Sequence, residues 1–537
     1  MFNNIKGDIF MYSYYKRALG CFVIMLTLML TGGARIATVA NDTRLSEAAS
    51  QQSTRRVNVA LNRGTVYDCN GVRLTNRNYT VATVVFPSDT ASVPLGEMLE
   101  GNDLTAAMKG VRNGQAVTVW GKVPSTKTGC HSFFIPQRYS GTLTHVIGYT
   151  ASDGHGVTGV EKCFDDILYS GSYIGVSYTV DSRGRMLAGL DYTVYEDDSN
   201  SNVTLTIDDR IQTIAEQAME EVPSGAAVII EARTGKIRAA VSRPDYDPDN
   251  VAASLEDLSS PLINRTTCAY NVGSVFKPCL AAAALKNGMG DYRYTCTGSI
   301  TVGDVTFKCN NTAGHGELDL EQALAYSCNT YFYTLGQALG ADAVYEMAKI
   351  FRFGEQLDCN GNMVSQAGSM PTLQKLTTVP AELTNLSIGQ GDLLLSRVSV
   401  AVMYSAIVNG GEYRLPYIVQ SIERNGQTER FEPSLPTVAF SKGIADTLKG
   451  YLENALINGT GKAAFTEGVP AGGKTGTAQT GWKQEGRSIL NGWFCGFYEG
   501  KTENYVIVIL KEDVKSGSAD CAPVFKTITA RMQKFGF

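Results

Sequence analysis

Histidine is scarce in this sequence, and no two cysteines have the C-x-x-C spacing of common zinc motifs. The chain has four histidines, His131, His145, His155 and His315, and they are widely separated. Its twelve cysteines are scattered. Structural zinc sites are usually assembled from closely spaced cysteine and histidine pairs, and a Ser-His-Asp triad requires a histidine. The sequence therefore predicts neither a metal site nor a histidine-dependent serine hydrolase.

Basic clusters are also absent. Lysine and arginine number 47 against 52 acidic residues, which gives a formal net charge of −5. Nucleic-acid binding needs clustered basic side chains that neutralise phosphates, so a nucleic-acid partner is excluded. The hydrophobic share of 44% supplies a large core, and 537 residues exceed one ordinary domain. We therefore expect two or three globular domains.

A long apolar run is present near the N-terminus. Residues 18–34 carry no charge and follow Lys16 and Arg17. The run is close to the lower limit of about 17 residues for a membrane-spanning helix. Because basic residues stay on the cytoplasmic side, we predict a cytoplasmic tail over 1–17, a transmembrane anchor over 18–34 and an exported body.

A cleaved signal peptide is the alternative interpretation of this run. The small residues at 37–40 suit a signal peptidase, although the length of the run favours a retained anchor. Met11 is an alternative start, because a complete basic flank follows it. Residues 35–56 are polar and are predicted to form a juxtamembrane segment.

Two patterns divide the remaining chain near residue 200. Residues 57–200 contain short alternating runs broken by glycine, asparagine and aspartate, such as 80–86 and 116–120, which predict a mostly β module. Residues 201–537 begin and end with strands around a helical centre. The predicted strands are 225–230, 236–241, 493–498 and 505–510, and the predicted helices are 208–221, 277–286, 318–327, 330–339, 341–351 and 396–409. This order favours an α+β fold, an antiparallel sheet with helices on both faces.

One pair of cysteines is placed to form a disulfide. Cys296 and Cys309 flank residues 297–308, which alternate like a short hairpin. In an exported protein this arrangement predicts a disulfide between them, with reduced buried thiols as the alternative.

Ser274-Val275-Phe276-Lys277 is the first candidate for chemistry. Pro278 follows, and proline is tolerated in the first turn of a helix. A helix that begins at Ser274 places its hydroxyl and the Lys277 amine on one face. Burial and the helix N-terminus both disfavour the ammonium, so the lysine pKa is expected to fall until the amine accepts the serine proton. An ordinary helix start is the alternative.

Two further motifs carry suitable groups. Ser327-Cys328-Asn329 lies between two predicted helices, where a hydroxyl and an amide could relay a proton and hold a carbonyl, or simply cap a helix. Lys474-Thr475-Gly476-Thr477 precedes the last two strands, and a lysine with two threonines on one strand face could bind a carboxylate, with Gly476 allowing close approach of a ligand. Context favours Lys474 over the similar triplets that begin at Lys127 and Lys515.

In this order, Ser274-x-x-Lys277, Ser327-x-Asn329 and Lys474-Thr475-Gly476 resemble the three motifs of penicillin-binding proteins and serine β-lactamases. Residues 62–71, 156–162 and 389–391 resemble further motifs of class B penicillin-binding proteins, so the likeness extends from about residue 57 to the C-terminus. The resemblance implies a pedestal domain of the dimerisation type over 57–200 and a transpeptidase domain over 201–537.

The resemblance also implies roles for single residues. Ser274 would be the nucleophile of a peptidoglycan D,D-transpeptidase, Lys277 its general base, Ser327 a proton relay and Asn329 a ligand of the substrate amide. Residues 474, 475 and 477 would hold the terminal carboxylate, and the backbone N–H groups of Ser274 and Thr477 would form the oxyanion hole. No cofactor or metal is implied.

The implied partners are peptidoglycan stem peptides, β-lactams and a membrane glycosyltransferase of the shape, elongation, division and sporulation family. Three other functions remain open: a β-lactamase or β-lactam sensor of the same fold, a non-catalytic activator of the glycosyltransferase, and a D,D-carboxypeptidase. Glu382 resembles the deacylating glutamate of some β-lactamases, but Gly389-Gln390-Gly391 follows it closely and favours a penicillin-binding protein.

Overall fold

The chain is described by a computed structural model that covers residues 3–44, 53–187, 192–196, 201–361 and 363–537, with the backbone alone for residues 3–12. It divides into two compact units. The smaller unit comprises Met1–Asn62, Thr80–Ile135 and Ser172–Asp197, and the larger unit comprises Arg63–Tyr79, Pro136–Gly171 and Asp198–Phe537.

The strands are numbered in chain order over the described residues. They are β1 Thr54–Arg63, β2 Val66–Tyr67, β3 Asn78–Val85, β4 Val117–Trp120, β5 Cys130–Gln137, β6 Tyr169–Thr179, β7 Thr193–Tyr195, β8 Ser201–Leu205, β9 Gly225–Glu231, β10 Ile237–Arg243, β11 Ala269–Asn271, β12 Tyr294–Cys296, β13 Ser299–Val302, β14 Val305–Lys308, β15 Gly316–Leu318, β16 Leu394–Ser396, β17 Glu412–Tyr413, β18 Val419–Arg424, β19 Gln427–Arg430, β20 Thr437–Val438, β21 Ala471–Gln484, β22 Arg487–Glu499 and β23 Asn504–Lys511.

The α-helices are numbered in the same way, and three short 3₁₀ helices accompany them within the described part of the chain. The α-helices are α1 Asn3–Ala40, α2 Ser92–Met98, α3 Gly101–Arg112, α4 Thr144–Ile147, α5 Gly159–Cys163, α6 Asp165–Leu168, α7 Asp209–Ala218, α8 Lys277–Lys286, α9 Leu320–Ala325, α10 Asn329–Leu339, α11 Ala341–Ile350, α12 Leu373–Thr378, α13 Pro380–Leu386, α14 Arg397–Val408, α15 Lys442–Ile457, α16 Gly517–Asp520 and α17 Ala522–Phe535. The 3₁₀ helices are Val251–Ser254, Gly273–Phe276 and Lys462–Ala464.

Helix α1 contains the apolar run seen in the sequence. Its segment Ser13–Ala40 is 28 residues long, apolar enough to cross a membrane, and not buried against the rest of the protein. The predicted apolar helix over 18–34 is confirmed, and the helix continues beyond it at both ends. Of the predicted juxtamembrane segment, residues 45–52 lie outside the described residues.

The smaller unit is mostly β, as the alternating runs predict. It contains the sheets β4-β3-β5 and β1-β6-β7, and the predicted strands 80–86 and 116–120 correspond to β3 and β4. Its core includes Val84, Phe86, Phe133 and Val176, all buried. Helix α3 is the longest helix of the 80–135 segment.

The smaller unit does not include all of residues 57–200, which the sequence pattern predicts to form one continuous module. Residues 63–79 and 136–171 belong to the larger unit. Strand β2 pairs in parallel with β8, with Val66 opposite Val203. Arg63 and Arg138 both form ion pairs with the fully buried Glu161, at 2.7 and 2.6 Å. A buried carboxylate needs such partners, so these two segments are fastened to each other within the larger unit.

The central sheet of the larger unit has the strand order β10-β9-β23-β22-β21, and all its pairs are antiparallel. Successive side chains point to opposite faces of a strand. One apolar cluster therefore contains Val228 and Val508 with residues of α14, and the other contains Ile229 and Ile507 with residues of α7 and α17. This confirms the predicted α+β fold, with strands from both ends of the domain in one sheet and helices on both faces.

Candidate active site

Ser274 lies in the 3₁₀ turn Gly273–Phe276 that leads directly into α8. Gly273 has φ of +60°, and its N–H donates to the Gly389 carbonyl at 2.8 Å. A Cβ atom on Gly273 would lie 2.9 Å from the Thr477 carbonyl oxygen. The turn is therefore held between the 389–391 segment and strand β21, and Ser274 within it is half-buried.

Lys277 is fully buried at the start of α8. Its Nζ donates to the Ser327 carbonyl at 2.8 Å, to the Ser327 hydroxyl at 3.2 Å and to Asn329 Oδ1 at 2.8 Å. Burial lowers the pKa of Lys277 to about 7, against the opposing effect of the Cys328 and Cys309 thiols. Within the described residues no hydrogen bond joins Lys277 to Ser274. The amine is thus poised to lose its proton near neutral pH.

The Ser327-Cys328-Asn329 bend joins α9 to α10, as its sequence position predicts. Ser327 has φ of +55°, a left-handed conformation that is uncommon for serine. Such backbone strain persists only where the surrounding structure enforces it, and it concentrates at functional sites. Here the strained carbonyl and hydroxyl both face the Lys277 amine.

Lys474 is buried in β21, opposite Cys495 of β22, and its Nζ donates to the Thr475 carbonyl at 3.0 Å. Burial, and then the nearby charge of Lys277, hold the pKa of Lys474 well below its ordinary value. The two lysines are therefore close enough to repel one another. The competing triplet at Lys515 has an exposed lysine, and the triplet at Lys127 lies in the smaller unit.

The threonines of this strand do not share the face of Lys474, contrary to the expectation of a single face. The pairing of β21 with β22 runs without a break from Ala471 to Gln479, so side chains alternate along it. The Thr475 hydroxyl lies 2.7 Å from the Thr460 hydroxyl, and the exposed Thr477 hydroxyl accepts the Gly517 N–H at 3.1 Å. Because that bond uses only the Thr477 oxygen, its O–H can still donate to a ligand.

A comparison with known families settles where the chain belongs. The family described as "Transpeptidase: Penicillin binding protein transpeptidase domain" matches residues 225–530, more than half of the chain. The chain belongs to the penicillin-binding protein transpeptidase family.

Curated relatives place this penicillin-binding protein in class B. It is 29% identical over 413 residues to Stage V sporulation protein D of Bacillus subtilis, covering 72% of this chain and 62% of that one. It is 30% identical over 414 residues to the peptidoglycan D,D-transpeptidase PbpA of Mycolicibacterium smegmatis, covering 71% of this chain and 81% of that one. The chain thus spans less than two thirds of the length of the Bacillus relative.

Solved structures share the fold. A D,D-transpeptidase domain of a peptidoglycan glycosyltransferase from Eggerthella lenta has a TM-score of 0.63 at 25% identity, over 89% of this chain and 100% of that one. A second solved structure has a TM-score of 0.67 at 22% identity, over 95% of this chain and 97% of that one. Its description is "Structural coordination of polymerization and crosslinking by a peptidoglycan synthase complex".

Gly476 of the penicillin-binding protein allows two segments to pack closely, in addition to any role in ligand approach. A Cβ atom at this position would lie 2.9 Å from Val275 Cγ1 and 3.0 Å from the Val272 carbonyl oxygen. Both atoms belong to the segment that carries Ser274. The glycine therefore lets β21 lie directly against the turn that carries Ser274.

We expect Gly476→Ala to destabilise the protein by about 1–3 kcal/mol, because the extra methyl overpacks this contact. It should also slow acylation of Ser274, because the strand must move away from the turn. Chemical denaturation followed by the fluorescence of Trp493, which pairs with Gly476 and is buried, measures the first effect. Gly450→Ala is the matched control, because that helical glycine has open space around it and should gain about 0.5–1 kcal/mol. Equal responses of the two variants would contradict the packing role.

The predicted disulfide is not present in the structure. Cys296 and Cys309 are both free thiols. They lie with His315 and Cys328, and the ligand atoms of all four residues are within 4.8 Å of one another. Sequence reasoning missed this cluster because its members come from separate segments and lack the C-x-x-C spacing. The usable signal was Cys328, a cysteine inside the Ser-x-Asn motif.

Proposed function

We propose that this chain is a peptidoglycan D,D-transpeptidase that acts through an acyl-enzyme on Ser274. The observation that carries the proposal is the convergence of the Ser274 turn, a buried Lys277 with a pKa of about 7, and strand β21 at one place. A relative that is 30% identical is named a peptidoglycan D,D-transpeptidase. The geometry provides a nucleophile, a base of suitable pKa and a strand edge for a peptide ligand.

In the first half-reaction, Ser274 Oγ attacks the carbonyl carbon of the penultimate D-alanine of a stem peptide. Neutral Lys277 accepts the hydroxyl proton, a new ester bond forms, and the bond to the terminal D-alanine breaks. That D-alanine leaves as a free amine after taking up the proton. Hydrogen bonds between catalytic groups are often loose without substrate, so the absent Ser274–Lys277 bond is expected to form on binding.

In the second half-reaction, an amine of a neighbouring stem peptide attacks the ester carbonyl and gives up a proton to Lys277. An amide bond forms, the bond to Ser274 Oγ breaks, and the proton passes to that oxygen to restore the free serine. Ser327 relays protons between Lys277 and the ligand, since its hydroxyl lies 3.2 Å from the lysine amine. Asn329 uses Oδ1 to accept from Lys277, which turns its amide N–H₂ group towards other partners. We assign to that group a bond with the substrate's amide carbonyl.

Strand β21 supplies the remaining contacts. Thr477, with its exposed side chain and free O–H donor, and Thr475 beside it bind the substrate carboxylate, and the bound carboxylate favours the charged form of the Lys474 amine. The N–H groups of Ser274 and Thr477 form the oxyanion hole. The Ser274 N–H lies in the first turn of its helix, where backbone donors lack intrahelical acceptors. Each such donor typically contributes about 3–4 kcal/mol to transition-state stabilisation.

The proposal includes a membrane anchor and a membrane-bound partner. Helix α1 anchors the protein by a single pass, and Lys16 and Arg17 before the apolar run favour an exported body. We propose a membrane glycosyltransferase of the shape, elongation, division and sporulation family as the partner that supplies glycan strands. A fold neighbour was solved in a peptidoglycan synthase complex, which supports such an assembly.

The β-lactamase alternative is weakened by the position of Glu382. This residue lies in the first turn of α13 and forms an ion pair with Lys375 at 3.1 Å, so its carboxylate is engaged in a salt bridge. A deacylating glutamate must instead activate a water molecule at the ester.

Incubation of the purified full-length protein with penicillin and with a D-Ala-D-Ala stem peptide plus an amine acceptor tests the proposal. We expect a penicilloyl adduct on Ser274 that persists for many minutes, and a cross-linked peptide released together with one D-alanine. Mass spectrometry of the protein and the peptides checks both. Rapid return of free enzyme would indicate a β-lactamase, D-alanine release without cross-links a carboxypeptidase, and no adduct a non-catalytic activator.

A further inference from the structure

Four side chains with metal-binding atoms converge beside the Ser-x-Asn bend. Cys296, Cys309 and Cys328 are buried, and His315 is half-buried. All four belong to the larger unit, and the catalytic scheme above uses none of them. Three thiols and an imidazole form one of the donor sets of structural zinc sites.

Three of the six distances between ligand atoms match the edges of a zinc tetrahedron, and the other three are at most 4.8 Å. Zn–S bonds of about 2.3 Å and Zn–N bonds of about 2.0–2.1 Å at tetrahedral angles separate two sulfurs by about 3.8 Å and a sulfur from a nitrogen by about 3.5 Å. Cys309 Sγ and Cys328 Sγ are 3.8 Å apart. His315 Nδ1 lies 3.5 Å from both Cys296 Sγ and Cys309 Sγ. A disulfide would instead need sulfurs about 2.05 Å apart.

The backbone around the cluster holds the ligands in place. Cys296 ends β12, Cys309 follows β14, and the Cys309 N–H donates to the Gly298 carbonyl at 2.8 Å. Gly298 and Gly314 both have positive φ, and a Cβ on either would lie 2.1 or 2.3 Å from a carbonyl oxygen of the facing segment. The loop that carries His315 is therefore drawn against the Cys296 segment by contacts that only glycine permits.

We propose that Cys296, Cys309, His315 and Cys328 bind one zinc ion, and that this ion positions the Ser327-Cys328-Asn329 bend. Thiolate-rich tetrahedral sites favour zinc among common divalent ions. Binding removes the three thiol protons and leaves the imidazole neutral. Cys328 is the N-cap residue of α10 and lies between the two groups that contact Lys277, so its bond to the metal fixes both. The positioning role rests on the proposed function, whereas zinc binding does not.

The first test is the metal content of the full-length protein, purified in detergent without chelators. We expect about one zinc per chain, and thiolate-to-cobalt charge-transfer bands with tetrahedral ligand-field bands after exchange with Co²⁺. His315→Ala should weaken metal binding by at least about 10- to 100-fold. His315→Cys should retain it, because it replaces one suitable donor with another. Cys359→Ala is the control: this buried cysteine lies outside the cluster, and its removal should leave the zinc content unchanged.

Two results would overturn the zinc site. One is a wild-type protein that contains no zinc and takes up neither Zn²⁺ nor Co²⁺. The other is mass-spectrometric detection of a disulfide among the three cysteines in freshly purified protein. Because chelation and refilling use the wild-type chain, the test stands even if a variant fails to fold.

The second test asks whether zinc positions the Ser327-Cys328-Asn329 bend for catalysis or only stabilises the fold. Chelation should slow acylation by a fluorescent penicillin by about tenfold or more, and added Zn²⁺ should restore it, with no loss of folded protein by circular dichroism. Unchanged acylation of the zinc-free protein would refute the positioning role and leave the metal site intact. If the protein never acylates but holds zinc, the proposed function fails and the zinc site does not.

Discussion

Replacing Ser274 with alanine is expected to abolish covalent labelling by fluorescent penicillin, and to lower D-alanine release by at least about 10⁴-fold, because no other group can form the ester. Labelled membranes from wild-type cells should show a persistent band, and the variant should show none. The Ser274 side chain is only half-buried, so the fold should survive, with the free energy of unfolding changed by no more than about 0.5 kcal/mol.

Ser488→Ala is the matched control, because that serine is exposed near the start of β22, away from the Ser274 turn. It should label like the wild type. Complementation of a depletion strain adds a separate readout: growth supported by Ser274→Ala would contradict the proposed enzyme and favour a non-catalytic activator. Labelling of the variant at any other serine would contradict the assignment of the nucleophile.

Lys277→Met is expected to slow acylation by about 10²- to 10⁴-fold, the usual contribution of a general base. Methionine keeps most of the buried volume but removes the amine that contacts Ser327 and Asn329. Stopped-flow measurement of acylation by a chromogenic β-lactam gives the rate constant. Lys286→Met is the control at the exposed end of the same helix, and its rate should equal that of the wild type.

The pH dependence of the same rate identifies the base. Burial lowers the pKa of Lys277 to about 7, so the ammonium predominates below that pH and the neutral amine above it. Only the neutral amine accepts a proton. The wild-type rate should therefore rise about tenfold per pH unit below pH 7 and level off above it. Lys277→Met should lose this inflection, and its persistence in the variant would show that another group is the base.

Local sequence patterns predict the larger elements of this fold well. Apolar runs correctly predict the strands at 225–230 and 505–510 and the helix at 277–286. A strand that is buried on both faces of a sheet consists of consecutive apolar residues, so the sequence alone reveals it. The domain boundary is different. Strand β2 has only two residues, and its pairing with β8 depends on a partner far along the chain. No local pattern carries that information.

In the candidate site, too, the sequence predicts the local structure but not the contacts between distant segments. The spacing of Ser274 and Lys277 predicts a helix start with both groups, and the structure shows one. The bonds from Lys277 to Ser327 and Asn329 are tertiary and become visible only in the structure. The sequence predicts only a disulfide between Cys296 and Cys309, because a hairpin pattern lies between these two members of the cluster. Its third cysteine and its histidine are brought in by the fold.

The turn that carries Ser274 is fixed by main-chain contacts at Gly273, Gly389 and Gly476. At each of these positions a Cβ atom would lie 2.1 to 2.9 Å from an atom of a neighbouring segment, so a side chain there is costly. If Ser274 is the proposed nucleophile, bacteria under antibiotic selection thus have little room to change the residues that hold its turn. We expect substitutions that reduce drug susceptibility to appear instead at exposed positions further along β21, such as Gln479.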